Sequence, residues 1–218
     1  MFITLGLSIL ISLLIGCSSE PTQSVRLLDI VKISTKAQIT DKTNTTNTTN
    51  TTMNSVSIDI FLKRNETIRL EVSALLGYPV GSLLMTRSLL QCAVHPQKYF
   101  IQGPFASRTL KPLFKQDIDP LILWSVIHAE DLKTHGFQCD KLTLNIEICR
   151  NPQFTVEIEQ RGQLNSEGLS VRGQKKITLE NNNIKMIWVF KSQEVLNVSQ
   201  SETFVLQRPK EYKLITIK

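Results

Sequence analysis

A chain of 218 residues, 41% apolar and 20% charged, is long enough to bury a sizeable core in one domain and too apolar to be a disordered tail. Its net charge of +6 favours anionic lipid or acidic partners, yet no run of Lys and Arg interleaves with aromatics, so nucleic acid is not an expected partner. The G-x-S-x-G, H-E-x-x-H and G-x-x-x-x-G-K motifs are all missing, so the sequence gives no reason to expect an enzyme or a cofactor.

Met1–Gly16 holds no charged residue. Phe2–Leu13 is an apolar run too short for a membrane span and of the length of a secretory h-region. Leu14-Ile15-Gly16-Cys17 follows, and then a polar stretch from Ser18 to Ser24. A small residue before a cysteine, with leucine three before it, resembles the lipobox of bacterial lipoproteins. That resemblance implies a signal peptide over 1–16, a diacylglycerol on the thiol of Cys17, an acylated amino group and a tether over 17–24. Several acyl chains anchor stably, because each buried CH₂ adds roughly 0.8 kcal/mol. The stretch departs from the pattern in having no Lys or Arg before the apolar run and in Ile15. Ser18 is not Asp, which in that family permits release to the outer membrane. The expected location is therefore the outer membrane, lipid-anchored and facing the periplasm. The plainer reading is an ordinary signal peptide or short anchor with Cys17 incidental.

Val31, Ile33, Thr35, Ala37 and Ile39 alternate with polar residues, the period of a half-buried strand. The tract 43–52 contains only Thr and Asn; it has no apolar residue to repay ordering and is expected to be a disordered loop. Its Asn-x-Thr sequons are glycan sites in a eukaryotic secreted chain and inert in a bacterium. Val56, Ile58, Ile60 and Leu62, a polar turn at Lys63–Glu66, and Ile68, Leu70, Val72 and Ala74 read as a hairpin. Leu75–Gly81 is an apolar loop, broken by Gly77, Pro79 and Gly81. The chain resumes over Ser82–Val94, turns at His95–Lys98 and forms a short strand over Tyr99–Gln102.

A helical segment is expected over 105–135. Pro112 limits its first part to a short or kinked helix. Asp119-Pro120 is a helix start, Asp as N-cap and Pro at the first position. The helix through Leu121–His128 is apolar on most sides, and Gly136 is its expected stop. Leu142, Leu144, Ile146 and Ile148 read as one strand, and Phe154, Val156 and Ile158 as another. Gly162–Gly173 is a loop, Asn181–Asn183 a turn, and Ile184–Lys191 a strand with Met186, Trp188 and Phe190 on one face. Phe204–Gln207 and Tyr212–Ile217 close the chain. About ten short strands interrupted once by helices predict a mainly β (α+β) domain over 25–218, an antiparallel incomplete barrel with a helical lid.

Besides Cys17 the cysteines are Cys92, Cys139 and Cys149. With one extended strand between them, Cys139 and Cys149 are too far apart to bridge, since a disulfide needs Cα atoms about 4.4–6.8 Å apart. Cys92 with either is possible, and three free buried thiols are favoured slightly. His128, His135 and Cys139 fit no common zinc spacing, and no metal is expected.

Ile68-Arg69-Leu70-Glu71-Val72, then Leu76-Gly77, two strands, a helical insert, and Ile118-Asp119-Pro120-Leu121-Ile122-Leu123-Trp124 before a strand series resemble the LolA/LolB-like periplasmic lipoprotein carriers, most of all the outer-membrane receptor branch, LolB. The likeness spans roughly Val25 to Phe190. It implies a curved, incomplete barrel closed by helices over an acyl-binding cavity, with Leu70, Val72, Leu83, Met85, Phe105, Phe114, Leu121, Trp124 and Ile127 as lining. It also implies a membrane-contact loop at Leu75, Leu76 and Tyr78. Expected partners are membrane lipid through acylated Cys17, the acyl chains of lipoprotein or lipid cargo, and a periplasmic carrier protein. The Asn/Thr tract, the region after Ser192 and the cysteines depart from the family pattern. Two bland readings stand beside these: the apolar faces fill a solid core, making the chain a structural or interaction lipoprotein of an envelope complex, and the loop folds over the barrel mouth.

Overall fold

The computed structural model describes residues 30–42, 53–114, 117–161, 174–196 and 200–218. The expected signal peptide, Cys17, the tether, the Asn/Thr tract and the 162–173 loop lie outside the described residues. Among the described residues, one sheet contains β1 (Ile30–Asp41), β2 (Met53–Lys63), β3 (Thr67–Ser73), β4 (Pro79–Met85), β5 (Leu89–Val94) and β6 (Tyr99–Pro104). It continues with β7 (Gln138–Thr143), β8 (Ile146–Arg150), β9 (Thr155–Arg161), β10 (Gln174–Glu180), β11 (Ile184–Leu196) and β12 (Lys213–Thr216). The spatial order is β12-β6-β5-β4-β3-β2-β1-β11-β10-β9-β8-β7. Neighbours pair antiparallel except β12, which lies parallel to β6. The sheet stays open, with β12 and β7 as its edges. The protein is thus mainly β, an incomplete barrel with a small helical insert.

Register explains why one face is greasy. Residues directly opposite in a ladder share a face. Ile33, Ile60, Leu70, Leu83, Cys92 and Ile101 are successive partners from β1 through β2, β3, β4 and β5 to β6, and all are buried. A second row runs the other way, Ala37–Trp188–Ile177–Ile158. The period-two pattern therefore lines up across strands to make one apolar inner face. Trp188 also donates its indole N–H to Thr35 Oγ1 at 2.6 Å, and Thr35 donates to the carbonyl of Ile58 at 2.8 Å, so the buried polar atoms of that row are partnered.

Two short helices, α1 (Ser107–Phe114) and α2 (Pro120–His128), connect β6 to β7. Asp119 caps α2 by accepting the N–H of Leu121 at 2.9 Å, with Pro120 at the helix start. Residues Ile122 to Ile127 are all buried, which is why this helix is apolar nearly all round. It stops earlier than Gly136: Ala129, at φ 55°, is its left-handed cap, and Gly136 ends a separate 3-10 turn, Leu132–His135.

The sequence from Cys139 to Cys149 is not one strand. β7 and β8 form a hairpin turning at Leu144-Asn145, with Cys139 opposite Cys149, and the two sulfurs form a disulfide. Folding the stretch back brings its ends together, the reverse of the expectation from an extended strand. Among the described cysteines Cys92 alone is free, and it is buried. Phe204–Gln207 is irregular rather than a strand; it follows a single helical turn, α3 (Gln200–Thr203).

Candidate functional site

An apolar cavity of about 550 Å³ lies between the inner face and the helices, inside the roughly 300–1,000 Å³ range of small-molecule sites. Leu70 and Val72 of β3, Leu83 of β4, Val56 and Ile58 of β2, and Met186 and Trp188 of β11 form its floor, and Phe114 of α1 and Leu123 of α2 its cover. Its polar lining is Asp41, Ser55, Ser82 and Asn183. Ile39, Ala74, Val80 and Ile184 sit near or beside strand ends, so the cavity occupies one end of the half-barrel.

The β3–β4 connection leaves from that rim, since Ala74 and Val80 both line the cavity. Between them lies a 3-10 turn, Leu75–Gly77. It is tied by Ala74 N–H to Tyr78 O at 2.8 Å and Gly77 N–H to Ala74 O at 3.1 Å. Leu76 is 86% exposed and Tyr78 68% exposed. Leu76 has φ 65° and Gly77 φ 78°; for a leucine this left-handed conformation costs roughly 1–2 kcal/mol. The turn thus holds an aliphatic side chain out in water. The side chain of Leu75 lies outside the described residues.

Of the residues expected to line a cavity, Leu70, Val72, Leu83 and Phe114 do so. Met85, Trp124 and Ile127 are instead buried in the packed core, Leu121 is half-buried on α2, and Phe105 lines a different opening. At the other end of the interior Met85, Trp124 and Ile127 are buried in the core. There Glu130 accepts from Trp124 Nε1 at 3.1 Å, from Ser125 Oγ at 3.1 Å and from Arg87 at 2.5 Å, and lies 3.2 Å from His135 Nε2. Burial pushes the Glu130 carboxyl up, but the hydrogen bonds from Trp124, His135 and Ser125 and the Arg87 charge outweigh it and hold its pKa below the usual value. Arg87 stacks over the Trp124 ring at 4.6 Å, and His128 packs against the same ring at 4.4 Å. His128 Nδ1 lies 3.5 Å from the N–H of Asn65, whereas its buried Nε2 has no partner among the described residues. Burial is the main cause that lowers the His128 pKa to about 4.

No protein-family model and no curated protein matches the chain. Among solved structures, an uncharacterized conserved protein from Thermus thermophilus superposes with a TM-score of 0.43 at 7% identity, over 84% of this chain and 90% of that one. A LolA superfamily protein from Nitrosomonas europaea superposes with a TM-score of 0.43 at 8% identity, over 82% of this chain and 90% of that one.

A second opening, about 630 Å³, is polar. It lies where the end of β6 meets the β8–β9 and β10–β11 turns, and is lined by Phe105, Ser107, Asp117, Asp119, Gln153, Phe154 and Asn181–Asn183. Asn183 lines both cavities. The Asn181–Asn183 run signalled only a turn in the sequence, and indeed Asn181 Oδ1 accepts the N–H groups of Asn183 and Ile184; its place beside a cleft depends on strands far apart in the chain. Also missed was Cys92, which lines the apolar cavity; burial pushes its thiol pKa up to about 12.

Ser82, which is buried and also lines the cavity, donates from Oγ to Glu71 Oε2 at 2.5 Å and lies 3.3 Å from His95 Nε2, and His95 Nδ1 lies 2.8 Å from the Tyr212 hydroxyl. Arg69 bonds Glu71 and the carbonyls of Thr203 and Val205. Because the Ser82 proton goes to Glu71, this Ser–His pair is not arranged as nucleophile and base; it ties the C-terminal segment to the sheet. Three ligand-type residues also cluster at Cys139, Glu147 and Cys149, but both sulfurs are committed to the disulfide.

Proposed function

We propose that this chain is a non-catalytic, outer-membrane-anchored lipoprotein that takes an acyl chain into the apolar cavity and helps receive lipoproteins or lipids and place them in the membrane. The observation that carries this reading is the hollow of about 550 Å³ beneath Phe114 and Leu123, opening beside the exposed Leu76 and Tyr78. Transfer of each CH₂ from water into such a lining contributes roughly 0.8 kcal/mol, so about ten methylenes give roughly 8 kcal/mol before the costs of association. The process needs no bond making. It needs a hollow, an apolar contact to the bilayer beside its mouth and a tether, for which Cys17 is the candidate. A periplasmic carrier is the partner that would deliver the cargo.

Mass spectrometry of lipid co-purified with the chain tests the reading, together with uptake of N-phenyl-1-naphthylamine, an uncharged apolar dye. A bound acyl compound and saturable dye uptake are expected; lipid-free protein that excludes the dye sinks the proposal. Leu76→Glu is expected to weaken liposome association several-fold, and unchanged association would remove the loop from the account.

One observation favours the second reading, an interaction scaffold. The edge strand β7 is largely exposed; its Leu142 is 61% exposed, and Leu144 at the hairpin tip is 99% exposed. An uncovered edge is a template for strand addition by a partner. That reading expects an empty cavity and no acyl ligand.

A further inference from the structure

The row of side chains alternate to the inner one is also partly buried. Across β3, β4, β5, β6 and β12 the successive partners are Glu71, Ser82, Ala93, Phe100 and Leu214, which therefore share a face. Ala93 and Phe100 are 1% and 3% exposed, yet they are not part of the main core cluster. The groups bonded around this row belong to the C-terminal segment, 200–218. Arg69 donates to the carbonyls of Thr203 and Val205, and the Tyr212 hydroxyl meets His95 Nδ1 at 2.8 Å. The hydrogen bonds between them form one directed chain. Ser82 Oγ donates to Glu71, so His95 Nε2 is the donor to Oγ and Nδ1 accepts the Tyr212 hydroxyl proton. Glu71 in turn accepts from Arg69 at 2.6 Å. Both ends of the chain lie on the C-terminal segment, and Ser82 in its middle lines the hollow.

The same segment also reaches the cover. Its strand β12 pairs with β6, and the Ile217 N–H donates to the carbonyl of Gln102 at 2.8 Å. That seats Ile217 against Gly103. A Cβ on Gly103 would stand 2.8 Å from Ile217 Cβ and 2.7 Å from Thr109 Oγ1, so a side chain there would force one of them away. Thr109 belongs to α1, the helix that carries Phe114, and it donates to the carbonyl of Pro104 at 2.8 Å. The C-terminal segment thus holds one contact to the wall of the hollow and one to the helix that covers it. We infer that residues 200–218 are a positioning brace for the hollow: docked, they hold Ser82 in the wall and α1 over the top, and a bound chain and a docked segment favour each other. The inference rests on the acyl-binding reading and adds to it a part outside the cavity. A wall and a cover fixed in advance lose less freedom when a ligand enters. Linkage makes the effect reciprocal: the factor that the brace adds to ligand affinity, the ligand adds to docking of the brace.

The test uses N-phenyl-1-naphthylamine and the full chain carrying Cys17→Ser, so that no acyl group of its own competes. Tyr212→Phe removes one hydroxyl from the brace, at a residue outside the cavity lining, and is expected to lower dye affinity about fivefold. Trypsin reads the converse. Lys210 is an exposed position within the segment, and cleavage after it follows the population of opened segment. Saturating dye is expected to slow that cleavage about fivefold, and less in Tyr212→Phe. Ser82→Ala cuts the chain of hydrogen bonds at the wall, so adding Tyr212→Phe to it is expected to weaken dye binding by less than about twofold more. Cys139→Ser with Cys149→Ser loosens the opposite edge of the sheet and is expected to leave dye affinity and cleavage after Lys210 as they were. Unchanged dye affinity in Tyr212→Phe, cleavage indifferent to dye, or full additivity of Ser82→Ala and Tyr212→Phe overturns the brace and leaves the acyl cavity standing. So does an equal loss of affinity in the disulfide variant, which would trace the effect to general loosening. Absence of dye binding in the chain with Tyr212 intact overturns the acyl reading itself, and this inference with it.

Discussion

The two ends of the interior are built from the same kinds of side chain and do opposite things. At one end Trp124, Met85 and Ile127 are buried in the core, and a polar knot around Glu130 fixes α2 to the β4–β5 turn through Arg87. At the other, Phe114 and Leu123 stand off from Leu70, Val72 and Trp188, leaving the hollow. The filled end has hydrogen bonds whose geometry demands one arrangement, whereas the hollow end is almost wholly apolar and contains nothing to specify a closer fit. On the proposed reading, a site that accepts flexible chains gains from that lack of specification.

The sharpest way to break the comparison is to truncate at the filled end. Trp124→Ala removes a fully buried indole and one donor to Glu130, and is expected to cost about 3–5 kcal/mol. Val72→Ala at the hollow end, where the side chain already faces empty space, is expected to cost about 1 kcal/mol or less. Urea unfolding of both variants measures the difference, and similar losses would mean that the hollow end is as tightly packed as the other.

Much of this division escaped the sequence, and the reason is physical. Period-two alternation marks which face of a strand is apolar, and β1, β2, β3, β9 and β11 were legible from it, as was the Asp119-Pro120 helix start. Alternation does not say how far away the facing layer sits. Leu70, Val72, Leu83 and Phe114 line the hollow while Met85, Trp124 and Ile127 do not, because α2 packs down at one end only. The β7–β8 hairpin was hidden for a related reason: Leu142 and Leu144 continue the alternation of Ile146 and Ile148 straight through the turn, and only Asn145 hints at a break. Leu144 is 99% exposed, so its hydrophobicity reports nothing about burial. Missing that turn reversed the reading of Cys139 and Cys149.

That disulfide staples the β7–β8 hairpin at the sheet edge, with Cys149 buried in the core and neither cysteine lining the cavity, and its removal separates the stability of this edge from the hollow. Cys139→Ser with Cys149→Ser is expected to cost about 2 kcal/mol by freeing the closed loop in the unfolded chain. Dye uptake is expected to persist, because neither residue lines the cavity. Thermal unfolding with and without reductant checks the first point, and loss of uptake would tie the edge to the hollow.

Acid should loosen the filled end before the hollow one. The His128 pKa is lowered to about 4 from 6.5, chiefly by burial. Below 6.5 the unfolded chain takes up a proton that the folded chain refuses until about 4, so stability falls as pH drops through that window. Discounted for partial exposure of the ring, the loss is about 2 kcal/mol. Glu130 acts in the same direction at lower pH: with its pKa held below the ordinary value, its contribution is present above the carboxylate range and disappears as the group is protonated. His128→Phe is expected to flatten the first part of the curve and leave the second. A wild-type profile that is level from 6.5 to 4 would show that the ring is protonated in the fold.

The smallest expected change in stability carries the largest expected change in function. Val72→Phe projects extra volume into the hollow from a strand whose backbone is fixed by pairing on both sides. Enlarging a side chain in a packed core costs about 1–3 kcal/mol through strain, but here the added ring enters space that holds no atoms, and a change within about 1 kcal/mol of zero is expected. Dye uptake should nevertheless fall about tenfold or more, since the ring occupies the volume an acyl chain needs. Stability and uptake measured on the same preparation distinguish the two cases: a variant destabilised like Trp124→Ala locates the site in solid core, and one that is stable and still takes up dye places the ligand somewhere other than the space between β3 and Phe114.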